Sequence, residues 1–341
     1  MKKRLQNKIA ESNVTLPTAC VVATLLWWLP QGGYSTDYLW GWLACAVTAY
    51  LIIWARAANA LLRIRSRMIS SLYLLLMAAC GFLHPLGAGS LIQLCMAFSF
   101  FCLLRTYEKP RPEVDTLHVY FFLSLASLLW APLLLLTPVL FWNQAIFLRS
   151  LQGRSFGAAL FGLLLPYASW GTYAFVIDEI SPLVEHLAGV LAPFRGSFEW
   201  QWAIDLAQTT DWEGFREGVF TTLQARMLDH LPESAAFIFL LLLGLTGFIH
   251  YLRKSYDDKI RVRMCHYCYM AMQLVVLLWV VLVPKDFHFL FPLLLLTTVP
   301  SAAHFVALTR TWMTNLWVVL LTLGLVAVGV CCLAPSLLAY A

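Results

Sequence analysis

The sequence predicts an all-α fold: a polytopic transmembrane helix bundle of about 11 crossings with one extracytoplasmic amphipathic helical loop. Three observations carry that expectation. Hydrophobic residues make up 61% of the 341 positions, charged residues only 12%, and mean hydropathy is +0.74, whereas soluble domains carry about 25% charged residues. The apolar residues fall in runs of the length a helix needs to cross about 30 Å of hydrocarbon, and clusters of Lys and Arg punctuate them. One stretch, Val176 to Ala235, breaks the pattern. It holds ten acids (Asp178, Glu179, Glu185, Glu199, Asp205, Asp211, Glu213, Glu217, Asp229, Glu233) and three bases (Arg195, Arg216, Arg226), so ten minus three leaves a charge of −7.

The first expected crossing is Val14 to Pro30. Lys2-Lys3-Arg4 and Lys8 precede it as a signal peptide's basic region would, but the apolar run follows Cys20 instead of leading up to it. The reading is therefore an uncleaved first helix with a cytoplasmic N-terminus. A short turn, Gln31 to Asp37, leads to Tyr38 to Trp54, and Arg56, Arg63, Arg65 and Arg67 follow on the cytoplasmic side. Ile69 to Leu83 and Gly87 to Leu104 form a hairpin around His84-Pro85-Leu86, returning at Arg105, Lys109 and Arg111.

Leu117 to Leu148 is too long for one crossing, and Pro132 and Pro138 interrupt it, so it divides near Trp130-Ala131-Pro132 into two short helices. Phe156 to Phe175 delivers the chain to the acidic stretch. Within that stretch Ser181-Pro182 predicts a helix start, and Thr210-Asp211-Trp212-Glu213 predicts a capping box. The box opens an amphipathic surface helix with Trp212, Phe215, Val219, Leu223 and Met227 along one side. Phe198 to Trp202 alternates like a short extended piece.

Ala236 to Tyr251, Cys265 to Val283, Phe287 to Leu308 and Leu316 to Leu338 complete the crossings. The domain reading is thus 1–175 for helices one to seven, 176–235 for an extracytoplasmic helical cap, and 236–341 for helices eight to eleven, all one integral domain. Eleven crossings put 19 of the 23 Lys and Arg inside and leave Arg195, Arg216, Arg226 and Lys285 outside, as the positive-inside rule requires. The expected location is the inner membrane, with the C-terminus extracytoplasmic. That rule also accounts for the net charge of +5, so no nucleic-acid partner is called for.

Few strongly polar groups lie at membrane depth. Asn143, Gln144 and His304 fall near cytoplasmic helix ends and read as interhelical hydrogen bonds or interfacial anchors. None of the nine cysteines lies in the acidic stretch, which excludes a disulfide-stapled loop there. Cys265-His266-Tyr267-Cys268 reads as reduced thiols, since zinc wants four ligands and no second pair is present. The expected external face gathers Asp37, His84, Asp178-Glu179, Glu185-His186, Lys285-Asp286 and His288 with Tyr34, Trp200, Trp202 and Trp212. Each singly also fits a solvated turn or an interfacial belt. Together, carboxylates that act as bases or metal ligands and aromatic faces that stack on sugars suit a lipid-linked saccharide. Asp178, Glu179, His84, Trp200, Trp202 and His288 are the substrate-binding candidates. No cofactor is named by the sequence.

Leu129-Trp130-Ala131-Pro132, Asn143-Gln144, Arg149, Arg154, Gly162-Leu163-Leu164-Leu165-Pro166-Tyr167 and Phe291-Pro292 resemble an uncharacterised family of bacterial polytopic membrane proteins. More distantly, the chain is similar to integral-membrane glycosyltransferases of the GT-C fold. That resemblance implies polyprenyl-phosphate sugars as donors and an acidic residue of the first external loop as base or metal ligand. Asp37 is the matching position, in a loop of about seven residues that lacks the family's adjacent acidic pair. The expected functions are transfer of a sugar in envelope glycan assembly, a non-catalytic scaffold or partner subunit of a membrane protein, and small-solute transport.

Overall fold

A backbone surrounded by lipid has no water to bond to, so a chain this apolar must satisfy its peptide groups within each segment. The computed structural model does so with helices. It describes residues 10–28, 35–59, 61–64, 66–194, 212–309 and 312–338. Among these residues there are thirteen α-helices and no strand. In chain order they are α1 (Thr15–Trp28), α2 (Thr36–Asn59), α3 (Met68–Ala79), α4 (Ala88–Arg105), α5 (Glu113–Ser127), α6 (Thr137–Trp142), α7 (Gly153–Val176), α8 (Ser181–Ala188), α9 (Trp212–Asp229), α10 (Leu231–Lys254), α11 (Ile260–Leu282), α12 (Phe287–Leu308) and α13 (Trp312–Leu338). Seven of them, α2, α4, α7, α10, α11, α12 and α13, are long and apolar enough to cross a membrane.

The run from Leu117 to Leu148 is a hairpin. Trp130 is extended, and Pro132 sits in the first turn of a 3₁₀ segment, Ala131–Leu136, that leads into α6. The Tyr120 hydroxyl donates to Gln144 Oε1 at 3.1 Å, and Gln144 Nε2 donates to Thr116 Oγ1 at 3.3 Å. Continuous helix would hold Tyr120 and Gln144 about 36 Å apart at 1.5 Å per residue. The chain has therefore turned back on itself, and the Glu108 amide meets the Leu148 carbonyl at 3.0 Å. A single π turn, Asn143–Phe147, closes the returning arm, and Asn143 Nδ2 donates to the Cys268 carbonyl at 3.4 Å.

Helix α12 is the central rod. Of its apolar window, 94% is buried, against 22% for α7 and α13, and α3, α4, α10 and α11 all pack on it. Pro292 and Pro300 interrupt its backbone bonding, because proline has no N–H to offer the carbonyl four residues back. One such carbonyl is that of His288. A Cβ at Gly89 would lie 2.3 Å from its oxygen, so only glycine allows α4 this approach. Four residues further along α12, the Pro292 carbonyl accepts Gln93 Nε2 at 2.7 Å, while Gln93 Oε1 accepts the Tyr73 hydroxyl at 2.9 Å. On the opposite flank a Cβ at Gly247 would stand 2.8 Å from the backbone of Ser301 and Ala302.

Contacts sort the helix ends into two sets. At one, called the His84 end, the Trp27 indole donates to the Tyr38 carbonyl at 3.1 Å and the Leu86 amide to the Asp37 carbonyl at 2.9 Å. Trp130 stands there between Trp279 and Phe289. At the other, the Asp258 end, Arg105 and Lys109 pair with Asp115, and Arg261 donates to Asn59 Oδ1 at 2.9 Å.

The stretch expected to be a cap contributes α8 and α9. Ser181 is the first residue of α8 rather than its cap, and no side chain caps that helix. Thr210, expected to cap α9, lies outside the described residues, as do Trp200, Trp202 and the extended piece around them. Along the expected apolar face of α9, Val219 and Leu223 are half-buried while Met227 is exposed, and Phe220 and Leu228 are exposed beside them. All nine cysteines are free thiols.

Candidate functional site

The predicted residues at the His84 end divide by what holds them. Asp37 lies in the first turn of α2 with an exposed side chain, and its backbone carbonyl receives the Leu86 amide. Its position is fixed by a neighbouring constraint: a Cβ at Gly41, one turn on, would fall 2.0 Å from the His84 carbonyl oxygen, so α2 lies directly on the α3–α4 connection. His84 itself is sealed. It is 2% exposed, stacks on Trp27 at 4.1 Å, and donates from Nε2 to the Ala78 carbonyl at 3.1 Å. Burial pushes its imidazole down to about 4, which favours the neutral ring at pH 7.

Asp178 and Glu179 are exposed, and their backbones end α7. Asp178 has φ of 58°, the Glu179 amide reaches the Ala174 carbonyl at 2.9 Å, and the Asp178 amide reaches that of Phe175 at 3.3 Å. This is a Schellman stop, with Asp178 in the left-handed position that aspartate tolerates better than most residues. His288 is exposed in the first turn of α12, edge-on to Phe82 at 6.4 Å. His186 reaches back from α8 to the Ser127 carbonyl at 2.9 Å and ties that short helix to the tip of the α5 hairpin.

The densest group of ionisable side chains is at the opposite end. Asp258 sits in the connection between α10 and α11 with its side chain 1% exposed. Arg63, from the segment after α2, donates through Nε to Asp258 Oδ1, through Nη2 to the Lys254 carbonyl at 3.2 Å, and pairs with Asp257 at 3.4 Å. His304, near the end of α12, donates from Nε2 to Asp258 Oδ2 at 3.2 Å. Burial alone would raise the Asp258 carboxyl, but the hydrogen bonds and charges of His304 and Arg63 outweigh it and hold the group below the ordinary aspartate range. Asp258 is thus a carboxylate at neutral pH.

Aromatic rings brace the pair. Tyr251 stacks on His266 at 4.3 Å and meets His304 edge-on at 4.7 Å, while His266 donates from Nε2 to the Leu61 carbonyl at 2.8 Å. Asp258 fixes the His304 tautomer, since a carboxylate only accepts, and leaves Nδ1 to face elsewhere. His304 Nδ1 and His250 Nε2 are buried with no hydrogen-bond partner among the described residues. Both rings line a cleft of about 490 Å³ that Arg63, Arg253, Lys254 and Asp257 also border.

Sequence reasoning missed this cluster because it weighed the α10–α11 connection by its bases. The signal was present: Asp257-Asp258 is the one acidic pair in that stretch, and His250, His266 and His304 all fall at helix ends that the expected topology places on one side. Among the described residues no group of three or more His, Cys, Asp or Glu is arranged to hold a metal ion.

The seven long apolar helices and the polar clusters at the two ends of the bundle define a multi-pass membrane protein. No family model, curated protein or solved structure matches the chain.

Proposed function

We propose that this protein is an eleven-crossing component of the bacterial inner membrane, with its N-terminus cytoplasmic and its C-terminus outside. Its role in this reading is to handle a saccharide carried on polyprenyl phosphate during assembly of envelope glycan. The orientation follows from charge: the Asp258 end carries the clusters of Lys and Arg, which the positive-inside rule assigns to the cytoplasm. The His84 end then faces outward.

The observation that supports a transfer reaction is Asp37. Among the carboxylates predicted for that face, those of Asp178 and Glu179 are also exposed but sit where the backbone ends α7, whereas the Asp37 carboxylate stands exposed on an end whose backbone is pinned by Leu86 and packed through Gly41. A base there takes the proton of an acceptor hydroxyl as its oxygen bonds to the anomeric carbon. The carbon–oxygen bond to the carrier breaks, and the lipid phosphate leaves with the electron pair. A second reading, a non-catalytic partner subunit, is favoured by the sealing of His84 and the structural use of Asp178.

Complementation of a deletion strain separates the two readings. Asp37→Asn keeps size and polarity, so a base role predicts loss of the envelope glycan with normal protein in the membrane, a rate loss of about 10² to 10⁴. Full complementation by Asp37→Asn, and by Asp178→Asn with Glu179→Gln as comparison, overturns the transferase reading in favour of the partner subunit.

A further inference from the structure

The cleft at the Asp258 end has features that the reading above leaves unused. Arg63 borders it, but its guanidinium is committed to Asp258, Asp257 and the Lys254 carbonyl. Asp258 is in turn matched by Arg63 and His304. Arg253 and Lys254, in the last turn of α10, are exposed and make no ion pair among the described residues, so their charge is left over. The two imidazoles add direction. His250 and His304 stand 5.6 Å apart between ring centres, and each has one buried ring nitrogen without a partner. Buried polar atoms are nearly always hydrogen-bonded, and two unsatisfied ones lining a single cleft mark a place where a partner belongs.

The chemistry of that partner follows from what faces it. From α10 come His250, Arg253 and Lys254; from the segment after α2, Arg63; from the α10–α11 connection, Asp257; from α12, His304, backed by Tyr251 and by His266 of α11. Two unmatched cations and the His250 imidazole on one side of a cleft outnumber the one or two donors a carboxylate uses. They suit a tetrahedral oxyanion with several acceptor oxygens and more than one charge. The cleft lies where α10 and α12 end and α13 begins; in the orientation proposed above these ends face the cytoplasmic leaflet, where basic pockets between transmembrane helices take phosphate headgroups.

We propose that this cleft binds a phosphate group, with Arg253 and Lys254 supplying charge and His250 supplying a directed hydrogen bond. The group belongs either to a membrane phospholipid or to a soluble phosphate ester, and the two sources are separable. The full-length protein is placed in nanodiscs of phosphatidylcholine and titrated with inorganic pyrophosphate, followed by phosphorus NMR line width. In a second arm it is extracted from bilayers containing phosphatidylglycerol, and retained lipid is counted by native mass spectrometry.

Pyrophosphate binding assigns the cleft to a soluble ester; retention of phosphatidylglycerol without pyrophosphate binding assigns it to a headgroup. In whichever arm binds, Arg253→Gln with Lys254→Gln is expected to weaken it by about tenfold or more, the loss of charge-assisted hydrogen bonds. Both side chains are exposed, so the fold is not at stake. His250→Gln, which removes no fixed charge, is expected to weaken binding as well and so separates a directed site from diffuse attraction. Absence of binding in both arms, or binding unchanged by these variants, overturns the proposal.

Discussion

Replacing Asp258 tests whether the buried ion pair holds the Asp258 end together. Breaking a fully buried pair by removing one partner costs about 3 to 5 kcal/mol, because the remaining charge is stranded. Here the stranding is partial. Arg63 keeps 36% of its side chain in solvent and retains Asp257 at 3.4 Å and the Lys254 carbonyl at 3.2 Å, so it can be resolvated. His304 is 1% exposed and loses the Asp258 carboxylate as its acceptor, a penalty of about 1 to 3 kcal/mol. Asp258→Ala is therefore expected to cost about 2 to 3 kcal/mol, and Asp258→Asn, which keeps an acceptor for His304, about half of that. Cys265 and Cys268 lie one residue before and two residues after His266 and are fully buried, so their reaction with a maleimide dye during heating in detergent reports the opening of this region. The pH dependence has a fixed sign. A carboxyl held below its ordinary value contributes stability that is fully present above about pH 4 and is lost as pH falls through the lowered value. The advantage of wild type over Asp258→Asn should be level from neutral pH down to about 5 and shrink below about 4. Equal melting of wild type and Asp258→Ala, or an Asn variant weaker than the Ala variant, would refute the argument.

Two further outcomes are expected. Reporter fusions at Ser66, Lys109, Arg154 and Tyr256 should read cytoplasm, and fusions at Gly33, Gly196 and Ala341 should read the outside; an external signal at Arg154 would contradict the orientation built on the α5–α6 hairpin. Asp178→Gly should leave the end of α7 unchanged, whereas Asp178→Ala should cost about 1 to 2 kcal/mol, because alanine gains nothing to offset the left-handed backbone. Amide exchange at Ile177 to Glu179 measures it, and an Ala variant as protected as the Gly variant would mean that packing, not the turn, stops the helix.

Much of this architecture is legible in the chain because a bilayer imposes one length scale. Apolar runs and the basic clusters between them place nearly every helix, and Pro132 marks the reversal that Gln144 later confirms by reaching Thr116 and Tyr120. Gln144 and Asn143 do what isolated polar groups at such positions usually do, which is to bond neighbouring segments. The site was less legible for a physical reason. An acid in a loop looks available in sequence, yet its backbone can be doing the work, as at Asp178. A histidine at a turn looks accessible, yet Trp27, fifty-seven residues earlier, covers His84. Conversely, Asp258 acquires meaning only from Arg63, 195 residues before it, and His304, 46 residues after it. Charge counting registered the connection as basic and passed over the carboxylate that organises it.

The placement of α12 sets a schedule for biogenesis. Ribosomes deliver helices from the N-terminus onward, but the segment around which α3, α4, α10 and α11 gather is the second to last in the chain. Until α12 has been made, Gln93 lacks the Pro292 carbonyl and Gly89 and Gly247 lack the α12 backbone they pack against. The earlier helices enter the bilayer able to pair with one another but without the segment that fills their shared axis. A message truncated before Phe287 would then yield a set of inserted helices with an unfilled axis, a ready target for membrane quality-control proteases.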